Sequence, residues 1–244
     1  GTALIIQYTG WAATQEMQFF LDAGRARNMD DFKDALQYFD AGSQNWVYAD
    51  VEGNIGYFTS AENPIRADLA VGTVDGGVPP YLIRDGSGAL NHEWLPVMNP
   101  QPGQAIPFEI LPYEEMPQVV NPEWGYIANA NNDPIGTSLD NNPLNQVRPG
   151  GNGIYYLNAG YADYRQGRVD RVMKSLVESD KPVTTQDLMD LQANTQLLDA
   201  ELVLPTLLGI MTQIPVPADS PMAQALEVLS TWDYSTPTGI AEGW

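Results

Sequence analysis

The sequence contains no cysteine, which excludes thiol nucleophiles, zinc sites built from thiolates, and disulfides. It has a single histidine, His92, in a region rich in glycine and proline. A Ser-His-Asp triad would have to use this one imidazole, and no neighbouring pattern supports such a triad. The sequence therefore excludes sulfur chemistry and gives no support to histidine-based catalysis.

Basic residues are also scarce: 11 lysines and arginines stand against 31 aspartates and glutamates, for a formal net charge of −20. A field of this sign repels nucleic acids and anionic membrane surfaces, so we exclude both as partners. No apolar run approaches the ~18–20 residues that a transmembrane helix needs. The charge would suit cation binding, although a solvated acidic surface explains it more simply.

The composition is that of a folded globular protein, with 43% hydrophobic and 17% charged residues. Its 244 residues can form one large domain or two small ones. Ala3–Tyr8 is a continuous apolar run that predicts a strand, and residues 45–59 predict a hairpin that turns at Glu52-Gly53-Asn54. From Ala162 onward the apolar spacing predicts helices. We therefore predict an α+β fold with sheet in the first half and helix in the last quarter.

Two of the predicted helices carry capping signals. Residues 30–39 place apolar side chains on one face, and Asn28 or Asp30 can cap this helix. Thr184 or Thr185 can cap a second helix, over residues 186–198. Residues 67–107 are dense in glycine and proline and predict long loops, with short strands at 81–84 and 93–95.

Residues 111–134, LPYEEMPQVVNPEWGYIANANNDP, combine several prolines with a short apolar strand, Tyr126–Ala128, and the asparagines Asn129, Asn131 and Asn132. Asparagines beside proline usually form turns, because the side chain hydrogen-bonds its own backbone. An asparagine amide can also donate to a developing negative charge, and it has no pKa of its own. The residues alone leave both interpretations open.

Three segments resemble, in the same order, motifs of the penicillin acylase family of N-terminal-nucleophile hydrolases. Residues 111–134 are similar to the family's LP-x-x-x-MP-x-x-x-NP-x-x-GYIAN-x-NN-x-P. Residues 45–66, NWVYADVEGNIGYFTSAENPIR, resemble its N-x-x-YAD-x-x-GNIGY followed by P-x-R. Residues 161–176, YADYRQGRVDRVMKSL, resemble the start of its arginine-bearing helix. The resemblance covers essentially the whole chain and implies an amidohydrolase acting on linear amides.

The resemblance also implies a partial four-layer αββα N-terminal-nucleophile hydrolase fold with a mostly helical C-terminal portion. Residues 1–160 would form the sheet-rich part, with a loop-rich insertion near 67–107, and residues 161–244 the helical part of one larger domain. Trp232-Asp233 resembles a motif beyond which the family's chains continue. We therefore expect these residues to be a fragment of the β-subunit region of a longer chain.

The resemblance implies two catalytic positions in this sequence. Asn131 matches the family's oxyanion-hole asparagine. Arg165 matches its active-site arginine, which hydrogen-bonds around the nucleophile's amine and that asparagine. Without the resemblance, Arg165 would be interpreted as a helix arginine that pairs with Asp163 or Asp170. We expect Asn131 and Arg165 to converge on one cleft.

The nucleophile of such enzymes is the first residue of a mature chain, a serine, threonine or cysteine whose own α-amine acts as base. This sequence starts with Gly1-Thr2, in which the hydroxyl and a free amine belong to different residues. We expect the nucleophile to be absent from this chain and the chain to be inactive alone. Its partners would be the remaining segments of the same precursor, an α-subunit and the rest of the β-subunit, and its substrate an N-acyl amide.

This chemistry requires no cofactor. Some relatives bind a structural calcium through aspartates and backbone oxygens, and Asp140 is the nearest candidate ligand. By resemblance the protein would be periplasmic or secreted. The alternative function is that of a non-catalytic acidic extracellular binding or structural module, able to bind calcium.

Overall fold

The computed structural model describes residues 2–179 and 181–237, and the chain divides into two compact units. The first unit comprises Gly1–Ile127 and Asp133–Tyr161, and the second comprises Ala128–Asn132 and Ala162–Trp244. No helix within the described ranges is long and apolar enough to cross a membrane. The implied membership of both parts in one larger domain stays a prediction.

The described residues form a mixed α+β structure, as predicted from the order of strand and helix signals. Short 3-10 helices lie at Thr9–Trp11, Asp75–Gly77, Tyr113–Glu115 and Thr137–Leu139. The first unit contains α1 (Glu16–Ala23), α2 (Met29–Leu36), β1 (Gln44–Ala49), β2 (Ile55–Ser60), α3 (Ala67–Ala70) and β3 (Gln118–Val120). The second contains α4 (Tyr164–Val177), α5 (Thr185–Gln192), α6 (Leu198–Met211) and α7 (Pro221–Thr231).

Side-chain caps determine where two of the predicted helices begin. The Asn28 side-chain oxygen accepts a hydrogen bond from the Asp31 N–H at 2.8 Å, which confirms Asn28 as the cap of α2. Thr184 and Asp187 form a reciprocal capping box at the start of α5. Each cap satisfies backbone N–H groups that the first helical turn leaves unpaired. The end of α5 at Gln192 comes earlier than predicted.

The predicted hairpin is present as β1 and β2, which pair antiparallel with Trp46 opposite Phe58. At its turn the Asp50 carboxylate accepts the Asn54 N–H at 2.8 Å, and Gly53 has a φ of 89°. Glycine adopts that conformation without the steric cost of a side chain. β3 pairs antiparallel with the other edge of β2, so β2 is the central strand of a three-stranded sheet.

An aromatic core holds α1 and α2 against this sheet. Phe19, Leu36 and Phe58 are each 1% exposed. The Phe19 ring lies 5.3 Å from the Phe39 ring and 4.5 Å from the Trp46 ring, measured between centroids. Tilted and edge-on aromatic pairs at these separations stabilise a core beyond the area that they bury. The sheet is therefore covered on one face by helices of its own unit.

The loop-rich residues 67–107 are organised around a buried carboxylate. Asp68 is 1% exposed, forms an ion pair with Arg84 and accepts the Asp75 N–H at 3.0 Å. A buried charge is tolerated when it is paired and hydrogen-bonded in this way. The short strands predicted at 81–84 and 93–95 are wrong, since this part of the chain forms isolated bridges such as Arg66 with Trp94.

Two further predicted strands, Ala3–Tyr8 and Tyr126–Ala128, are also wrong. Leu4, Ile5 and Ile6 are 72%, 84% and 76% exposed, and neither segment pairs with a strand among residues 2–179 and 181–237. An apolar run indicates that a segment can enter a sheet, but a strand is stabilised only by the neighbour with which it exchanges hydrogen bonds. That neighbour cannot be inferred from the run itself.

In the second unit, α4 and α6 approach each other closely at Gly167. A Cβ added at this position would lie 2.6 Å from Cδ2 of Leu198, the first residue of α6. The Arg171 guanidinium forms an ion pair with Glu201 at 2.7 Å on the exposed side of the same contact. This packing fixes the N-terminal turns of α4, which carry the predicted arginine.

Three carboxylates lie close together beside the aromatic core. Asp40 is 1% exposed, and its Oδ2 accepts the Gln15 N–H at 2.6 Å, while its Oδ1 has no hydrogen-bond partner among the described residues. Burial, together with the charges of Glu62 and Glu16, raises the pKa of Asp40 to about 7. Glu62 is better satisfied, since its carboxylate accepts the Ile106 N–H at 2.9 Å.

We predict that Asp40→Asn will flatten the pH dependence of stability between about pH 5 and pH 8. The pKa of Asp40 is raised in the folded chain, so its stabilising contribution is present at low pH and is lost as the pH rises through about 7. The wild-type free energy of unfolding should therefore fall over this range by on the order of 2 kcal/mol more than that of the variant. Urea titrations followed by circular dichroism measure the difference.

The matched control is Asp34→Asn, which makes the same charge change at an exposed position of α2. This variant should keep the wild-type pH dependence. Equal slopes for wild type and Asp40→Asn would contradict the prediction.

Candidate active site

The asparagine tract at residues 128–132 is folded by its own side chains. The Asn129 side-chain oxygen accepts the Asn131 N–H at 3.0 Å. The Asn132 side-chain oxygen accepts both the Ala130 N–H and the Asn129 amide, each at 3.2 Å. These are the local bonds of an asparagine turn, so the turn interpretation describes Asn129 and Asn132.

Asn131 has a different place in this turn. Its φ is 57°, in the left-handed region that asparagine tolerates better than other residues with a Cβ. Its backbone N–H is engaged by Asn129, and the side chains of its two neighbouring asparagines form the turn around it. The backbone that presents the Asn131 side chain is therefore defined by neighbouring amides rather than by a β-strand.

The N-terminal turn of α4 brings Arg165 to this tract. The Arg165 Nη2 donates a hydrogen bond to the carbonyl oxygen of Ala130 at 2.8 Å, across 35 residues of sequence. Ala130 directly precedes Asn131, so both predicted catalytic residues lie in the second unit and are linked through one peptide. The hydrogen bond from a guanidinium to a carbonyl is charge-assisted and stronger than a neutral one.

A second donor from α4 reaches the same tract, and sequence reasoning missed it. The Gln166 side-chain amide donates to the carbonyl oxygen of Ala128 at 3.1 Å. The other polar atom of this side chain, Oε1, is buried and has no hydrogen-bond partner among the described residues. Gln166 follows the predicted arginine directly, but nothing local in the sequence indicates that its amide reaches residue 128.

Together, Arg165 and Gln166 occupy two main-chain carbonyls of the asparagine tract. Filling these carbonyls with donors removes two competing acceptors and places the positive charge of Arg165 near Asn131. That is the electrostatic environment in which a developing oxyanion is stabilised. The arrangement can therefore serve acyl-transfer chemistry once a nucleophile is supplied.

Asp140, the predicted calcium ligand, lies in the first unit and closes a local turn. Its Oδ1 accepts the Asn142 N–H at 3.0 Å, and its Oδ2 accepts the Asn145 side-chain amide at 2.5 Å. In the described ranges, no group of three or more His, Cys, Asp or Glu residues could hold a metal ion. Calcium binding at Asp140 stays a prediction.

His92 has a structural place in the loop-rich region. It is 6% exposed, and its Nδ1 accepts the Asp85 N–H at 3.1 Å. Its Nε2 lies 3.0 Å from the Asp75 carbonyl oxygen, to which it can donate as the neutral tautomer. Both ring nitrogens are thus engaged by backbone groups, and a catalytic triad through this histidine has no support.

Comparison with known proteins identifies similar chains. A model of the penicillin amidase family matches residues 2–242. The penicillin G acylase of Escherichia coli is 31% identical over 191 residues, which are 78% of this chain and 18% of that protein. The solved structure of a thermostable penicillin G acylase from Alcaligenes faecalis is similar with a TM-score of 0.53 and 25% identity, over 91% of this chain and 33% of that one.

These comparisons confirm the family that the sequence motifs predicted, and the mixed α+β structure is similar to that of a penicillin G acylase. The chain spans a third or less of the length of the relatives that it matches. The matched family region includes both the asparagine tract and the N-terminal turn of α4. The roles of Asn131 and Arg165 themselves stay predictions.

We predict that Asn132→Ala will destabilise the second unit. The substitution removes the acceptor of two donors, the Ala130 N–H and the Asn129 amide, and partly buried donors left without an acceptor cost about 1–3 kcal/mol. The free energy of unfolding from urea titrations should fall by an amount in that range. Asn142→Ala serves as control, because Asn142 accepts one N–H, that of Leu144, in an exposed turn. Equal losses in the two variants would contradict the prediction.

Proposed function

Since the chain belongs to the penicillin amidase family, we propose that the complete protein is an amidohydrolase that cleaves linear N-acyl amides. The nucleophile would come from a segment outside these residues. The observation that carries the proposal is the hydrogen bond from Arg165 to the carbonyl of Ala130. It links the arginine and the asparagine that the family resemblance assigns to catalysis, although they are distant in sequence.

Asn131 would donate its side-chain amide to the oxyanion that forms when the nucleophile attacks the substrate carbonyl. An oxyanion donor must be preorganised, because reorientation during the reaction would cost part of the stabilisation that it provides. The turn formed by Asn129 and Asn132 supports this role, since it restrains the backbone on both sides of Asn131. Losing one such donor lowers the rate by roughly 10²–10³.

Arg165 would act through position and charge. Its bond to Ala130 restrains the peptide before Asn131. A carbonyl, unlike a carboxylate, does not neutralise the guanidinium that binds it. The remaining positive field would lower the pKa of a neighbouring α-amine, whose reference pKa is about 7.7–8, and so increase the fraction of neutral amine at neutral pH.

The proposed reaction has two acyl-transfer steps. The α-amine of the nucleophilic residue takes the proton of its own hydroxyl or thiol, and the freed oxygen or sulfur attacks the amide carbon. The tetrahedral oxyanion collapses to an acyl-enzyme as the protonated amine transfers its proton to the leaving nitrogen. Water then attacks the ester or thioester in the same way and releases the acid. The Asn131 side-chain amide would donate a hydrogen bond to the oxyanion in both steps.

The substrate class follows from the family and not from side chains of this chain. The relatives named above are penicillin G acylases. An N-acyl amide such as a β-lactam side-chain amide or an acyl-homoserine lactone would fit the same chemistry. The remaining segments of the precursor would complete the acyl pocket, and the family suggests a periplasmic or secreted protein.

The decisive experiment measures amide hydrolysis by the complete protein and by its Asn131→Ala variant. We expect the variant to lower kcat by roughly 10²–10³ with little change in KM, because the lost donor acts mainly on the transition state. Asn141→Ala is a matched control, since Asn141 has a φ of 58° against 57° for Asn131. The Asn141→Ala variant places alanine at the same left-handed backbone conformation, so it has the same conformational strain, and it should retain activity.

Two results would overturn the proposal. If Asn131→Ala and Asn141→Ala lowered kcat equally, the oxyanion role would be wrong. If the complete protein hydrolysed no N-acyl amide, a non-catalytic acidic module would be the better description. The 244-residue chain alone should show no hydrolysis.

A further inference from the structure

We propose that Gln166 is a positioning residue for Asn131, an inference that rests on the proposed function. Gln166 and Arg165 are consecutive residues in the first turn of α4, and each donates to a carbonyl of the asparagine tract. The two carbonyls belong to Ala128 and Ala130, two residues apart. The helix is therefore joined to the tract by two hydrogen bonds, which restrain rotation of the tract's backbone more than one bond would.

The hydrogen bond made by Gln166 is less exposed to solvent than the one made by Arg165. The bond from its amide to Ala128 is partly buried, whereas the bond from Arg165 to Ala130 is exposed to solvent. Water competes less for a partly buried hydrogen bond, and a lower local dielectric strengthens it. A glutamine also has fewer rotatable bonds between backbone and donor than an arginine. We therefore assign to Gln166 a larger share of the restraint on the tract.

The other polar atom of the Gln166 side chain, Oε1, makes it possible to test the positioning role separately from stability. Its Oε1 is buried without a hydrogen-bond partner among the described residues, and such an orphan acceptor is destabilising. Replacing the amide by an apolar group of similar size removes the bond to Ala128 and the orphan acceptor together. The loss of the orphan acceptor offsets part of the cost of leaving the Ala128 carbonyl without this donor, so an apolar substitution should lower stability only slightly while it releases the tract.

The test uses the complete protein with Gln166→Met. We expect kcat to fall about tenfold and KM to stay within about twofold, because a small displacement of an oxyanion donor affects the transition state more than substrate binding. The melting temperature should fall only slightly. The probes are para-nitroanilides carrying phenylacetyl, hexanoyl and glutaryl groups, of which the one hydrolysed fastest by the wild type is used for the variants.

Gln186→Met is the matched control. Gln186 lies in the first turn of α5, and its amide bonds an exposed aspartate, Asp190, at 2.8 Å. The same substitution there should leave kcat unchanged. A second readout is independent of catalysis: hydrogen–deuterium exchange of a peptide covering residues 126–133 should be faster in Gln166→Met than in wild type or Gln186→Met.

The outcomes distinguish this inference from the proposed function. If the wild type hydrolyses a probe while Gln166→Met keeps both the wild-type kcat and the wild-type exchange, the inference is overturned and the proposed function stands. If Gln166→Met lowers the melting temperature strongly as well as kcat, the role of Gln166 is only structural and the inference is also overturned. If the wild type hydrolyses no probe, the proposed function fails and the catalytic part of this inference fails with it.

Discussion

Two hydrogen bonds from α4 to main-chain carbonyls, from Arg165 to Ala130 and from Gln166 to Ala128, hold the asparagine tract in the second unit. Residues 128–132 belong to that unit, yet residues 133–161 separate them from its helices and belong to the first unit. Ordering five residues against a distant helix costs about 1–2 kcal/mol of conformational entropy per residue. A charge-assisted bond from Arg165 offsets part of this cost, and the asparagine turn reduces it by restricting the tract before it meets α4.

The three asparagines of the tract have different places in one turn. Asn129 and Asn132 use their side chains on neighbouring backbone groups, and so form the turn. Asn131, between them, has the left-handed backbone that this turn requires. The two interpretations that the sequence left open, a turn and an oxyanion donor, are therefore compatible, because the turn restrains the backbone on both sides of Asn131.

Features that depend on local chemistry were predictable from sequence. The cap at Asn28, the capping box at Thr184 and the hairpin turn at Asp50 each involve residues within four positions of one another. Strand pairing is not local, and the apolar run Ala3–Tyr8 shows that a segment can have a strand's composition and remain exposed without a partner among the described residues. The link between Arg165 and Asn131 was predictable only through family motifs, and Gln166 was not predictable at all, since its contact with Ala128 spans 38 residues.

The few arginines of this chain have different kinds of hydrogen-bond partners. The buried carboxylate of Asp68 is paired with Arg84, and Glu115 with Arg148, so these two arginines offset the cost of burying acids. Asp40 has no such partner among the described residues, and its raised pKa lets it remain largely neutral below about pH 7. The bond of Arg165 is made instead to a neutral carbonyl. A carbonyl accepts a hydrogen bond without cancelling the donor's charge, so this bond is compatible with the effect that we propose for Arg165 on the pKa of a neighbouring α-amine.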